Sequence, residues 1–519
     1  MAHVFGYEIG AAAQHPARSR MCRQAPKSTD CQAEVGQRQP PLNDDRYGVA
    51  AGGVILGVGY AKLSAMSRTF NELERLLGSR ALRTPEQLER YGKDESDLGA
   101  FPPEAVALVQ SVEEAQEVLR LAAADQIPVT PRGLGSGKTG GALPMRGGIV
   151  LSTERLTAIR EIDADNLLAI VEPGVITATL HAEVEEQGLF YPPDPASLDV
   201  CSIGGNVAEN AGGPRAFKYG VTREYVLALD LALVGGCELQ VGRPTVKSVT
   251  GLDLVSLITG SEGTLALITG VTLKLVPKPR GVVAFQACFA DVLAASEAVT
   301  QLLGAGQRPR ALELMDEQVV EHLRLQERWS LPVGRAALLL VELDGEPESL
   351  EAQLIGAAEV CEAHGAKEII VATDEAKRRQ LWSMRRQVST MLGEQHRFRV
   401  GEDICVPRAR IPEMLRCIDG LAAEHGFRVA CYGHAGDGNL HVNVVYDDEA
   451  MHPRLEPLLV AVFERALDLG GTLSGEHGIG LTKRRFVPME QSERAIDLQR
   501  ELKRVFDPDN LLNPGKLLP

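Results

Sequence analysis

Between Arg132 and Gly141, glycine stands at positions 133, 135, 137, 140 and 141, with Ser136 and Thr139 in two of the gaps. A backbone this bare exposes successive N–H groups and can wrap closely around an anion. Three architectures compete for it. Gly137-Lys138-Thr139 supplies the end of a Walker A loop, with Leu227–Asp230 as an accompanying strand, but Arg132 occupies the first-glycine position. Gly135 to Gly140 also satisfies the dinucleotide pattern G-x-G-x-x-G. Both readings need a helix directly after the loop. Gly141, Pro144, Gly147 and Gly148 oppose one. The third architecture is a pyrophosphate loop that joins strands.

Around this loop the chain alternates strand and helix. Strands are expected at Val106–Val109, Val129–Pro131, Ile149–Leu151, Leu168–Val171, Val226–Leu233 and Leu265–Leu275, and a helix at Val112–Ala124. A Pro-containing polar break at Pro277–Gly281 marks a domain boundary. The expected division is 66–280, 281–470 and a C-terminal segment 471–519. Residues 1–65 differ in composition and read as a disordered extension. Their uncharged run Tyr47–Ala61 is shorter than the roughly 20 apolar residues of a membrane span, and it arrives late for a signal peptide. Ordered chain is expected from Met66, where Phe70, Leu73, Leu76 and Leu77 set a helical period.

The formal net charge of −16 argues against nucleic-acid binding, which needs a basic footprint. Nine cysteines occur without any C-x-x-C pair, so no iron–sulfur or zinc-ribbon motif is present. Such thiols suit a reducing compartment. The expected location is the cytoplasm, or the mitochondrion in a eukaryote, and peripheral membrane association is compatible with it. No sequence feature specifies an oligomeric state.

Further glycine clusters follow in order: Pro193-Asp194-Pro195, then Ser202-Ile203-Gly204-Gly205-Asn206 through Asn210-Ala211-Gly212-Gly213, then Lys218-Tyr219-Gly220, then Gly260-Ser261-Glu262-Gly263-Thr264. A plain turn explains any one of these glycines. The ordered series resembles the FAD-linked oxidases of p-cresol methylhydroxylase and vanillyl-alcohol oxidase type. Within them it resembles the group of D-lactate dehydrogenase, the glycolate oxidase flavin subunit and D-2-hydroxyglutarate dehydrogenase. The resemblance runs from about Ser67 to the C-terminus. It implies an α+β fold: a two-part FAD-binding domain, an α+β substrate (cap) domain, and a C-terminal segment that returns to the flavin. It also implies FAD contacts at Arg132, Gly133, Leu134, Gly135, Ser136, Gly137, Thr139, Gly140 and Gly141. Further contacts are implied at Pro193, Asp194, Ser202, Gly204, Gly205, Asn206, Asn210, Gly212 and Gly213, and at Glu262, Gly263, Leu267, Ile268 and Asn513. The first loop contains no histidine to tether the flavin, so FAD is expected to be non-covalent.

Near the C-terminus, Gly433-His434-Ala435-Gly436-Asp437-Gly438-Asn439-Leu440-His441-Val442-Asn443 has the form of a hairpin with an Asp-Gly turn. Strand alternation puts His441 and Asn443 on one face. Ser474-Gly475-Glu476-His477-Gly478 adds a carboxylate and another imidazole. Two imidazoles, a carboxylate and an open position suit a divalent metal such as Zn²⁺. The resemblance implies His434, His441 and Glu476 as metal ligands, His477 as general base, Asn443 near the substrate and Arg385 on its carboxylate. Arg386 leaves that last register open by one residue. Members acting on a second carboxylate can carry a Lys where this chain has Gly401.

The expected activity is oxidation of a small D-2-hydroxy acid, D-lactate or glycolate first and D-2-hydroxyglutarate as the alternative. Electrons then leave to a separate protein or quinone. Two rivals are an oxygen-using alcohol or carbohydrate oxidase of the same fold, which the histidine hairpin disfavours, and a P-loop nucleotide hydrolase, which the missing helix disfavours.

Overall fold

The computed structural model describes residues 56–519 apart from 97, 327, 330, 332, 333 and 335. Most of the extension expected at 1–65 therefore lies outside the described residues. The first helix spans Leu56–Leu77, so helix is present ten residues before Met66. Phe70, Leu73 and Leu77 of this helix are buried in a core with the first sheet.

That sheet has four strands in the order Ala81–Leu82, Ala105–Leu108, Ile149–Ser152, Val129–Arg132. The last three run parallel. Ala105–Leu108 and Ile149–Ser152 are buried throughout, as continuous apolar runs in a parallel sheet must be. Helix Val112–Ala124 is capped by Ser111, whose hydroxyl accepts from the Glu114 N–H, and it buries Ala115, Val118, Leu119 and Ala122 at helical spacing. No helix follows the glycine loop: after Val129–Arg132 the chain is irregular until Ile149.

A second sheet of five antiparallel strands runs in the order Ile159–Asp163, Leu168–Val171, Leu267–Lys274, Val226–Ala232, Glu238–Gly242. The third sheet has seven antiparallel strands: Glu368–Val371, Gly281–Phe289, Ala337–Gly345, Ala311–Met315, Arg428–His434, Asn439–Tyr446, Phe398–Cys405. Helices Val292–Gly304, Pro347–Ala363, Ile411–His425 and His452–Asp468 contribute to its largest core.

The chain end comes back to the first sheet. Leu512 forms a parallel bridge with Val129, and the Asn513 N–H donates to the Val129 carbonyl at 2.7 Å. The large sheet and the C-terminal loop thus meet the two sheets nearer the N-terminus, and the site lies where they meet.

Candidate active site

A first cavity is lined by Arg132, Gly133, Leu134, Gly135, Ser136, Gly137 and Gly141 of the glycine loop. Ser202, Gly204, Gly205, Asn206, Gly212, Glu262, Gly263, Leu267 and Ile268 complete its walls, and Glu476 and His477 close one end. The residues present fit an anionic cofactor here. Nη1 of Arg132 is buried without a hydrogen-bond partner. A Cβ on Gly135 would collide with this guanidinium, whereas a Cβ on Gly137 would meet nothing within 4 Å. The loop thus holds a buried cation beside bare backbone and open space. Burial pushes the Arg132 pKa down, a cost that a bound phosphate would offset.

Other residues of these motifs hold segments together. Thr139 receives the Leu481 N–H on its carbonyl at 2.7 Å, and a Cβ on Gly140 would press on Leu481. Pro193 accepts from His181 Nε2 at 2.9 Å. Asp194 pairs with Arg215 at 3.0 Å and faces the second cavity. Asn210 has a left-handed φ of 54° and accepts the Arg223 N–H, and Gly213 packs on the Asp194 backbone. Asn513 ties the Gly141 and Glu262 carbonyls together, at 3.0 and 2.8 Å. Glu262 lines the cavity, but its two carboxylate oxygens accept the N–H groups of Ile479 and Gly480 at 2.7 Å each.

The second cavity is floored by the histidine hairpin. Gly438 makes its turn with φ +85°, and a side chain there would collide with the Val406 carbonyl. Strand Asn439–Tyr446 is wholly buried. Oε1 of Glu476 lies 3.2 Å from His434 Nε2, 3.5 Å from His441 Nε2 and 4.0 Å from His477 Nε2. The His441 and His477 rings stack with centroids 5.2 Å apart. Asn443 and Arg385 line the same cavity, and Glu476 and His477 line both cavities.

Electrostatics leave Glu476 and His441 as ready donors, while His434 must give up a proton to bind a cation. Burial raises the Glu476 pKa, but the three histidines outweigh it and hold the carboxylate at about 2. Burial lowers His441 well below its ordinary value, and it lowers His477 too. Their nitrogens therefore carry available lone pairs near neutral pH. Burial also opposes charge on His434, but Glu313 and Glu476 raise its pKa well above the ordinary value.

Among the described residues, two ligand groups are geometrically possible: His434 with His441 and Glu476, and Asp403 with His441 and His477. The hydrogen bonds of Asp403 favour the first. Its Oδ2 accepts the N–H groups of Gly475, Glu476 and His477 and the Ser474 hydroxyl, while Oδ1 takes the Asn439 amide. Asp403 is thus committed to shaping the loop.

Sequence reading missed four contributors. Asp403 is one. Lys483, buried, donates to the carbonyls of Asp403 and Leu473 at 2.6 and 2.8 Å. Glu313 joins His434 Nδ1 and Arg385 Nη2, at 2.6 Å each. Arg399 reaches Ser389 Oγ at 2.7 Å and Asn443 Oδ1 at 3.2 Å. Only Glu313 carried a readable signal, as the lone acid in the apolar strand Ala311–Met315.

Two stretches of the chain match known families. Residues 103–242 match the FAD binding domain, and residues 278–517 match the C-terminal domain of FAD linked oxidases. The glycolate oxidase subunit GlcD of Bacillus subtilis (strain 168) is 38% identical over 429 residues, 82% of this chain and 91% of that protein. A D-lactate dehydrogenase of Archaeoglobus fulgidus is 39% identical over 412 residues, covering 78% and 89%. A p-cresol methylhydroxylase structure superposes with TM-score 0.73 at 19% identity, over 87% of this chain and 96% of that one, and so shares its fold. With this fold, this glycine-lined cavity and these relatives, the chain belongs to the FAD-linked oxidase family and is a flavin-dependent oxidoreductase.

Proposed function

We propose that this protein oxidises a small D-2-hydroxy acid, D-lactate or glycolate first, to the 2-oxo acid. Residues 66–280 with 471–519 form the FAD-binding part, and 281–470 the substrate part. The observation that carries the reading is that Glu476 and His477 line both cavities. One loop therefore faces the cofactor space on one side and the histidine floor on the other.

When bound, FAD supplies a hydride acceptor, held non-covalently by the residues of the first cavity. A divalent ion, Zn²⁺ first, would be held by His434, His441 and Glu476 and would lower the pKa of the substrate hydroxyl. The donor set fits such an ion: neutral His441 and anionic Glu476 converge with His434, and Glu313 fixes the far nitrogen of His434. His477 takes the hydroxyl proton on Nε2, as a neutral imidazole can. Asn443 and Arg385 orient the substrate, and Arg385 clamps its carboxylate. Thr139, Pro193, Asn210, Gly213 and Asn513 serve by holding the walls in place. Electrons leave to a separate protein or quinone.

One observation favours a second reading, a 2-hydroxy acid with a second carboxylate such as D-2-hydroxyglutarate. Arg399 lines the cavity beside Gly401 and Asn443. Its hydrogen-bond partners are the neutral oxygens of Ser389 and Asn443. A guanidinium so placed suits a distal acidic group.

The test is dye reduction by the purified flavoprotein with D-lactate, L-lactate, glycolate and D-2-hydroxyglutarate. Bleaching of the flavin by D acids or glycolate is expected. If none of these acids bleaches it, the proposal fails.

A further inference from the structure

Glu313 is completely buried in a strand whose other residues, Ala311, Leu312, Leu314 and Met315, are apolar and buried. A carboxylate in such a place costs several kcal/mol unless it is fully paired. Its two oxygens take different partners. Oε1 lies 2.6 Å from Nδ1 of His434 in a hydrogen bond, and Oε2 lies 2.6 Å from Nη2 of Arg385 in an ion-pair contact that is not aligned as a hydrogen bond. Sheet register explains the first contact, because Glu313 and His434 are direct cross-strand partners. The second comes from helix Glu375–Gln395, whose Arg385 is buried and lies over the Tyr432 ring at 4.6 Å.

The hydrogen bonding also sets a tautomer. A carboxylate only accepts, so Nδ1 of His434 carries a proton toward Glu313. Nε2 is then the nitrogen that faces Glu476, at 3.2 Å. Arg385 is held on its other side, and its Nε is buried without a partner. The two oxygens of one carboxylate therefore touch the metal half of the site and the carboxylate-binding half.

We propose that Glu313 is a positioning residue that couples the affinity of the site for a divalent cation to the state of Arg385. The inference rests on the proposed metal reading. A strong hydrogen bond from Nδ1–H to a carboxylate makes Nε2 a better ligand. Arg385 competes for the same carboxylate and draws charge away from His434. Removing the guanidinium leaves Glu313 to act on His434 alone. Removing the carboxylate takes the support from His434 and frees Arg385 together. By reciprocity, a bound cation alters how Arg385 receives an anion.

The experiment is a titration of FAD-loaded, chelator-stripped protein with Zn²⁺ alone, read by a competing zinc dye, on wild type, Glu313→Gln, Arg385→Met and the double variant. Flavin absorbance serves as the folding check. Glu313→Gln is expected to weaken Zn²⁺ binding by about 10–100-fold, the usual effect of losing such a partner. Arg385→Met is expected to tighten it several-fold, although Arg385 touches no proposed ligand atom. Opposite signs separate coupling from general damage, which would weaken both. In the Glu313→Gln background, Arg385→Met should change nothing further. An equal Arg385→Met effect in both backgrounds overturns the coupling and leaves the metal reading standing. If Glu313→Gln does not fold, an unchanged Zn²⁺ affinity in Arg385→Met alone overturns it. A wild type that binds no Zn²⁺ overturns the metal reading and the coupling together.

Discussion

The backbone N–H of His477 donates to Oδ2 of Asp403 at 3.0 Å, and the same oxygen takes the N–H groups of Gly475 and Glu476 at 2.8 and 2.9 Å. One carboxylate thereby sets the direction of two side chains proposed for the chemistry. Burial raises its pKa, but His477, Lys483, His441 and these donors prevail and hold it well below the usual carboxylate range. Asp403→Asn removes the charge and turns a donor toward the loop. We expect a stability loss of about 3 kcal/mol, the scale for hydrogen bonds to a buried charge, and at least a ~10²-fold drop in turnover. Urea titration and steady-state rates check both. Near-wild-type turnover would mean that the loop holds its shape without Asp403.

The metal and the base should separate by substitution. His434→Ala, His441→Ala and Glu476→Ala should each lower metal occupancy and turnover while FAD stays bound. His477→Ala should retain metal and flavin but lose about 10²–10⁴-fold in rate. Metal analysis, flavin absorbance and rates on the four variants decide it. If His477→Ala loses the metal and Glu476→Ala keeps it, the two roles are exchanged.

Gly137→Val tests the first cavity. A Cβ at Gly137 meets no protein atom within 4 Å, so the variant should fold. Its isopropyl group would then stand beside backbone that a pyrophosphate approaches. Purification with little or no flavin is expected, and full flavin content would show that the pyrophosphate lies elsewhere.

A pH dependence of folding follows from His181, which is buried against the Pro193 carbonyl. Burial lowers its pKa to about 4. The unfolded chain binds this proton near pH 6.5 and the folded one does so only near 4. Its contribution is therefore fully present above about pH 6.5 and is lost as pH falls toward 4, by up to about 3 kcal/mol. Urea midpoints of wild type and His181→Gln at pH 7.5 and 5 measure it. The wild type should lose more stability between the two, and parallel losses would exclude His181 as the cause.

Much of this molecule could be read along the chain because the signals are local. Gly141 of the bare loop, with Pro144, Gly147 and Gly148 just after it, spoke against a following helix. The apolar period of Val112–Ala124 and the Asp437-Gly438 turn marked elements whose hydrogen bonds close within a few residues. The start of the first helix was misplaced by ten residues because its opening turns are Gly- and Ala-rich and lack an amphipathic period.

Which motif residues face a ligand and which brace the walls depended on contacts across hundreds of positions. Glu262 turns its carboxylate to Ile479 and Gly480, and Asn513 reaches Gly141, only because the C-terminal segment folds back on the first sheet. Glu313 is a single acid in an apolar strand and Asp403 sits beside Glu402 in a mixed one, 121 and 74 residues from His434 and His477. Nothing nearby in the chain announces their partners. Sheet register and helix packing bring those groups within hydrogen-bond reach, and buried charges need such pairing, so the tertiary fold assigned their work.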